Sequence, residues 1–411
     1  MVISYKMHKR DLYLQRILPF IDKPFIKVIT GLRRSGKSAL LELIKEELLT
    51  KGVDDDNIIY LNFESLSNSA YTDVLALYNY VKVNLVNNKK YYLFFDEIQE
   101  VTEWEKAVNS FLVDFNVDIY ITGSNSQLLS SELATYITGR YVEFQLQTLN
   151  FNEYLEFSAV IHPEKHSNLK ESFERYLRLG GFPVIHTGNY STESAYKIVY
   201  DIYSSAVLRD TIQRFQIRNV ELLERVILFV LDNIGNSFSA KNIADYFKSQ
   251  LRKVDVNTVY NYLNALESAF IINRVQRYDI KGKEILKTQE KYFLGDVALM
   301  YAMMGYRDRY IGGILENVVL LDLKSKGYRV FIGKFGTKEI DFIAEKGNEK
   351  LYIQVCYLLA EQTTIDREFG VLKEIRDHYP KYVVSMDPIW QDNIEGIKHF
   401  HIADFLRRME Y

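Results

Sequence analysis

The sequence predicts an α/β chain whose first third is a parallel-sheet domain, followed by a helical connector, a three-helix unit with a hairpin, and a small α/β unit. Three observations predict it. An apolar, β-branched run from Phe25 to Thr30 passes through a glycine-bounded turn into helically spaced apolar residues from Ala39 through Leu49. Two more apolar runs, "YYLFFD" and Val117 to Thr122, each end in polar residues, as strands buried on both faces do. Near the C-terminus the order helix, strand, strand, strand returns in "GGILENVVLLDLKSKGYRVFIGKFGTKEIDFIAEKGNEKLYIQVCYLL".

At 411 residues, and roughly 100 to 200 residues per domain, the chain has room for two to four domains. Hydrophobic residues make up 47% and charged residues 26%, the balance of an ordinary globular chain rather than a disordered one. The formal charge of -3 gives no global attraction to nucleic acid, so any such contact requires a local patch. The single cysteine excludes an internal disulfide framework. Charges break every apolar run of "MVISYKMHKRDLYLQRILPF", and no segment reaches about 18 uninterrupted apolar residues, so the expectation is a cytoplasmic protein without a signal peptide or membrane span.

The turn after the first strand holds Gly31, Leu32, Arg33, Arg34, Ser35, Gly36, Lys37 and Ser38, with Ala39 opening the helix behind it. These match the phosphate-loop pattern G-x-x-x-x-G-K-[ST] at every position. Gly31 and Gly36 let the backbone turn tightly and aim successive N–H groups at phosphate oxygens, and the helix N-terminus adds partial positive charge. Lys37 is expected to reach the β and γ phosphates, and Ser38 to place its hydroxyl on Mg²⁺. Strand, loop and helix together predict a parallel-sheet P-loop NTPase domain over residues 1–150.

The strand in "YYLFFDEIQ" ends in Asp96 and Glu97. In this layout the first carboxylate holds Mg²⁺ through water, and the second, as catalytic base, polarises the attacking water. A helix over about 103 to 115 then leads to the strand Val117 to Thr122, which ends in Gly123, Ser124, Asn125 and Ser126. Ligands of open parallel sheets sit beyond the carboxyl ends of the strands, so this polar end should face the γ-phosphate, with Asn125 or Ser124 a candidate to orient the water.

"ITGLRRSGKS", "IIYLNFE" (58 to 64), "LFFDEIQ", "ITGSNS", "LATYITGR" (133 to 140) and "LNFNEYL" (149 to 155) occur in that order. Together they resemble the AAA+-related ATPase family of bacteria and archaea that carries a C-terminal DUF4143 domain. The resemblance implies ATP as the nucleotide, which the phosphate loop alone does not specify. Arg33 and Arg34 flank the phosphate loop, either as phosphate contacts or in ion pairs with nearby carboxylates. Arg140, in "TGR", is the better candidate for stabilising transition-state charge, on its own nucleotide or a neighbour's; the alternative is a structural salt bridge.

Residues 151–219 read as a mixed helical connector, similar to the family's lid, with a turn at "RLGGFPVI" (178 to 185). Arg209, Arg214 and Arg218 lie in its last stretch and face either phosphates or solvent. Over 220–296 three helices follow: Leu222 to Ile234, one capped by Ser239, and one starting at Asn257 with Val259, Leu263 and Leu266 on one face. A β-prone segment with Gly282 at its turn completes a winged helix-turn-helix. Such a module lays its third helix in the DNA major groove or packs on protein. Basic residues at 274, 277, 281, 283, 287 and 291 against Asp279, Glu284 and Glu290 predict a mildly positive wing.

Residues 297–411 resemble, from 312 to 405, the restriction-endonuclease-like α/β core of DUF4143 domains, with a helix around Asp366 to Asp377 and a strand at "KYVVSM" (381 to 386). The family motif falls on Glu316, Asp341 and Gln354-Val355-Cys356, where a carboxylate and a lysine are expected in place of Gln354 and Cys356. Gln354 offers a neutral oxygen, and Cys356 supplies no ammonium to stabilise a pentavalent phosphate. A lysine from Lys334, Lys338 or Lys350 is not favoured by spacing, and Glu316 and Asp341 also suit buried scaffolding. The expectation is a Mg²⁺-dependent ATPase with a degenerate nuclease-like domain. The alternatives are an ATP-responsive DNA-binding regulator and, third, an active nuclease; a homo-oligomer or a protein partner is possible under each.

Overall fold

The computed structural model describes residues 9–129, 139–162, 168–250, 254–305, 307–387 and 393–411. Positions 133–138 of the "LATYITGR" segment lie outside the described residues. The chain divides into two units, Met1–Leu146 and Gln147–Tyr411.

In the first unit, α1 (Asp11–Ile17) precedes β1 (Ile26–Thr30), α2 (Lys37–Thr50), β2 (Ile58–Asn62), α3 (Val74–Asn84), β3 (Tyr91–Asp96), α4 (Trp104–Asp114), β4 (Val117–Gly123) and β5 (Tyr141–Gln145). The five strands form one sheet in the order β2-β3-β4-β1-β5, and every pairing is parallel. Helices cover both faces of such a sheet, so the strands read as continuous apolar runs; all of Tyr91–Asp96 is buried. Alternate residues serve opposite faces. Leu93, Phe95, Ile119 and Ile121 pack with Trp104, Ala107, Val108 and Phe111 of α4, while Phe94, Tyr120 and Ile29 pack with Leu40, Leu41 and Ile44 of α2. Lys27 and Asp118 are wholly buried in adjacent strands β1 and β4, and they satisfy each other as an ion pair.

In the second unit, residues 151–205 supply helices Phe151–Ile161, Leu169–Leu179, Pro183–His186 and Thr192–Ser205, the last continuing into a π-helical turn over Ala206–Gln213. Helices Val220–Asp232, Ala240–Ser249 and Val256–Ser268 follow, with the two-residue strand β6 (Ser237–Phe238) after the first. Ser239 accepts the N–H of Asn242 in a capping box. The third helix starts one residue before Asn257, because Asp255 caps the N–H groups of Asn257 and Thr258. Next come β7 (Ile272–Asp279) and β8 (Glu284–Leu294), an antiparallel pair.

Helices Ala298–Met304 and Ile311–Ser325 lead to β9 (Arg329–Phe335), β10 (Lys338–Lys346) and β11 (Glu349–Val355), an antiparallel meander. Helix Gln362–Glu374, β12 (Lys381–Ser385), β13 (Asn393–Ile394), β14 (Ile397–His401) and helix Ile402–Leu406 complete the unit. The β7–β8 hairpin is not free-standing: β7 pairs in parallel with β9, giving a nine-stranded sheet in the order β13-β14-β12-β11-β10-β9-β7-β8-β6. Segments that the sequence reads as a hairpin and as a separate α/β unit thus share one hydrogen-bonded sheet.

Candidate functional site

The loop between β1 and α2 curls through three positive φ angles, Gly31 at 152°, Arg34 at 66° and Gly36 at 103°. A side chain at Gly31 would place its Cβ 2.3 Å from the Leu146 carbonyl oxygen, so only glycine fits. Gly36 occupies the N-cap of α2 and offers no side chain to satisfy the first helical N–H groups, which is the arrangement that receives a phosphate. Ser35 N–H bonds Leu32 O at 3.1 Å, and the buried Arg10, a residue outside the sequence reading, sends Nη1 to Ser35 O at 3.3 Å.

Lys37 is buried, with Nζ 3.3 Å from both Gly31 O and Glu97 Oε1. Asp96 is fully buried: one oxygen accepts from Thr122 Oγ1 at 2.5 Å and the other from Asn62 Nδ2 at 2.9 Å. Thr122 Oγ1 in turn accepts Glu97 N–H at 2.9 Å. Burial raises the Asp96 carboxyl above its usual range, against the hydrogen bonds from Thr122 and Ser38. Burial acts on Glu97 in the same sense, but the Lys37 ammonium and a hydrogen bond from Gln99 hold it below the usual range. The two adjacent carboxyls are thus driven apart, the arrangement in which neighbours take different roles.

Lys37, Ser38, Asp96 and Glu97 therefore converge at the carboxyl end of the sheet. Ser38 and Asp96 are hard oxygen donors, the few protein ligands that a Mg²⁺ ion shared with phosphates and water takes. Among the described residues no group of three or more His, Cys, Asp or Glu is arranged to hold a metal by itself. Leu32 and Ser35 are buried in the loop, Ala39 is exposed in the first turn of α2, and Arg34 points outward. Arg33 pairs with Glu64 at 2.5 Å. Ser124 and Asn125 are fully buried beyond β4, and Thr122 within β4 bonds both the Asp96 carboxylate and the Glu97 backbone N–H.

Of the two placements expected for Arg140, its own nucleotide or a neighbour's, the fold does not favour the first. Its carbonyl accepts Ile26 N–H at 2.7 Å and its Nη1 donates to Asn109 Oδ1 at 2.8 Å, at the start of β5. Because β5 runs parallel to β1, that start lies at the sheet edge opposite the phosphate loop, a strand length of roughly 16 Å away. The structure does not bring Arg140 to the chain's own phosphate site.

In the second unit, Glu316, Asp341 and Gln354 do come together, but around a different lysine. Lys291 of β8 is buried with Nζ 2.9 Å from Glu339 Oε1, 3.1 Å from Glu316 Oε2 and 3.6 Å from Asp341 Oδ1. Burial, with their mutual repulsion, raises the Glu316 carboxyl; burial likewise raises Asp341; and the three carboxylates raise Lys291 against its burial. Gln354 is occupied at both ends: its oxygen accepts Asp341 N–H at 2.8 Å and its nitrogen donates to Glu368 at 2.7 Å. Asp341 Oδ2 accepts Val355 N–H at 2.8 Å. Lys334, Lys338 and Lys350 pair instead with Asp279, Glu374 and Glu345. The wing also loses charge: Arg274 is paired with Glu267, and Lys291 is buried against Glu339.

Residues 23–155 match the AAA domain family AAA_14, and residues 170–310 match DUF8612, a domain of unknown function; neither match is to DUF4143. An uncharacterized protein of Haemophilus influenzae is 38% identical over 406 residues, covering 98% of this chain and 100% of that protein. An uncharacterized protein of Methanocaldococcus jannaschii is 33% identical over 365 residues, covering 86% of this chain and 79% of that one. Among solved structures, ORC1 of Aeropyrum pernix in complex with DNA is similar at 14% identity and TM-score 0.30, over 73% of this chain and 94% of that one. AMPPCP-bound DnaA of Aquifex aeolicus is similar at 15% identity and TM-score 0.29, over 54% and 69%. Scores this low carry no argument about function. The sheet, the phosphate loop and the family match define the class, an AAA+ P-loop ATPase domain. The chain as a whole belongs to the family of the Haemophilus influenzae protein.

Proposed function

We propose that this protein binds ATP and hydrolyses it with Mg²⁺, using the nucleotide as a switch or as motor fuel. The observation that supports this best is the 3.3 Å approach of Lys37 to Glu97, beside a buried Asp96 held by Thr122, at the carboxyl end of a parallel sheet. The loop amides from Gly31 to Lys37 receive the phosphates, and Lys37 leaves Glu97 for the β and γ oxygens. Ser38 and Asp96 would hold Mg²⁺, which would supply neutralisation of charge developing on the phosphates. Glu97, kept ionised, accepts a proton from the attacking water, and the buried Ser124 and Asn125 line the same strand end. Arg140 acts on the nucleotide of a neighbouring copy.

For the second unit we propose a winged helix over 220–296 joined to a nuclease-like fold that serves docking or nucleic-acid contact rather than cleavage. The neutral Gln354, bonded at both ends where a carboxylate is expected, supports the loss of cleavage. The DNA-responsive alternative rests on the exposed Asn257, Tyr260 and Asn261 of helix Val256–Ser268, and is weakened by the neutralised wing. Steady-state ATP hydrolysis by the whole chain, measured without and with duplex DNA, tests both readings: turnover in Mg²⁺ supports the ATPase, and stimulation that fades with salt supports the DNA role.

A further inference from the structure

The turn after β3 holds a side chain that the roles assigned above leave unused. Glu97 sits in the left-handed region (φ 54°, ψ 51°), and Ile98–Glu100 form a single tight turn closed by Glu100 N–H on Glu97 O at 3.1 Å. That curl folds Gln99 back over the residue two before it, so that Gln99 Nε2 donates to Glu97 Oε2. The other carboxylate oxygen faces Lys37. Two different donors therefore hold Glu97: an ammonium that phosphate will attract, and a carboxamide that it will not.

The carboxamide can face only one way. Reversed, its oxygen would oppose a carboxylate oxygen. In the orientation adopted, Gln99 Oε1 is buried and meets no donor among the described residues. It lies against Gly123, where an added Cβ would be 2.8 Å from it, and Gly123 pairs with Thr30, the last residue before the phosphate loop.

We infer that Gln99 is a positioning residue of the hydrolytic site: it fixes the Glu97 carboxylate once Lys37 has turned to the phosphates, leaving the other Glu97 oxygen for the attacking water. This rests on the ATPase reading. No bond to Gln99 forms or breaks; the water proton passes to Glu97, and the amide protons stay where they are. Gln99→Leu removes the donor at similar size, and Gln99→Glu replaces it with a like charge.

The test measures equilibrium binding of Mg²⁺ and ATP by fluorescent-analogue displacement, with kcat and KM for ATP, on the whole chain and both variants. Binding and KM are expected to stay within about twofold of wild type while kcat falls about tenfold or more, a part of the 10²–10⁴ that a general base supplies. A kcat within about twofold of wild type in Gln99→Leu would overturn the inference. So would binding and kcat that fall together, since that marks a scaffold residue. A wild-type chain that binds ATP without turning it over overturns the hydrolase reading, and this inference with it.

Discussion

The Lys291 ammonium lies 3.1 Å from the Glu316 carboxylate, joining β8 of the hairpin to helix Ile311–Ser325 inside a cluster that Glu339 and Asp341 complete. Removing one partner of a buried ion pair costs about 3–5 kcal/mol, because the remaining charges stay uncompensated. Lys291→Met keeps the stem and deletes the charge. Urea unfolding of the whole chain should show a loss of that size in the transition that belongs to residues 147–411, and an unchanged midpoint would mean that the pair is not held in solution.

The same cluster predicts no phosphodiester cleavage. Where a carboxylate is expected, Gln354 offers a neutral oxygen that already accepts Asp341 N–H, and its nitrogen donates to Glu368. Incubation with single- and double-stranded DNA in Mg²⁺ or Mn²⁺ should leave the substrate intact for wild type and Asp341→Ala alike. Metal-dependent products from wild type alone would restore the nuclease reading.

Stability in acid should depend on His186. Its ring is buried, and burial lowers its pKa to about 4, while Nε2 bonds Gly180 O at 2.9 Å in the "LGGFPVI" turn. The folded value lies below the ordinary 6.5, so the folded state binds fewer protons. The stabilisation is complete above pH 6.5 and is lost as pH falls toward 4, by about 3 kcal/mol at most. Asp296, which accepts Gly181 N–H at 2.8 Å in the same turn, is raised by burial to about 6 and acts in the opposite sense, favouring lower pH up to that value. Denaturant midpoints from pH 7 to 4.5 should therefore fall less steeply for His186→Gln than for wild type.

Arg140→Ala should leave ATP affinity unchanged, since the side chain bonds Asn109 at the far edge of the sheet. Turnover at low protein concentration should also be unchanged. A loss confined to high protein concentration would show that Arg140 serves a neighbouring copy; a tighter or weaker ATP complex in dilute protein would contradict the placement.

Local covalent order explains what could be read in advance. The loop from Gly31 to Ser38 and the carboxylates at the end of β3 each lie within a few residues of a strand end, so strand periodicity alone places them at the sheet's carboxyl edge. The side of the sheet on which Arg140 lies was not legible, because a motif shows that a residue follows β4, not that it begins a parallel strand at the other edge. Lys291 was illegible for a related reason: it reaches Asp341 across fifty residues, through a parallel β7–β9 pairing that no turn signal announces. Thr122 was hidden inside an apolar strand, and Gln99 in a turn whose left-handed start at Glu97 has no sequence signature.

The most direct measurement is Mg²⁺-dependent ATP binding and turnover by wild type, Lys37→Ala and Glu97→Gln. The wild type should bind and hydrolyse ATP, Lys37→Ala should lose binding, and Glu97→Gln should bind as wild type while turnover falls by about 10²-fold or more. ATP hydrolysis by Glu97→Gln at the wild-type rate would contradict the account.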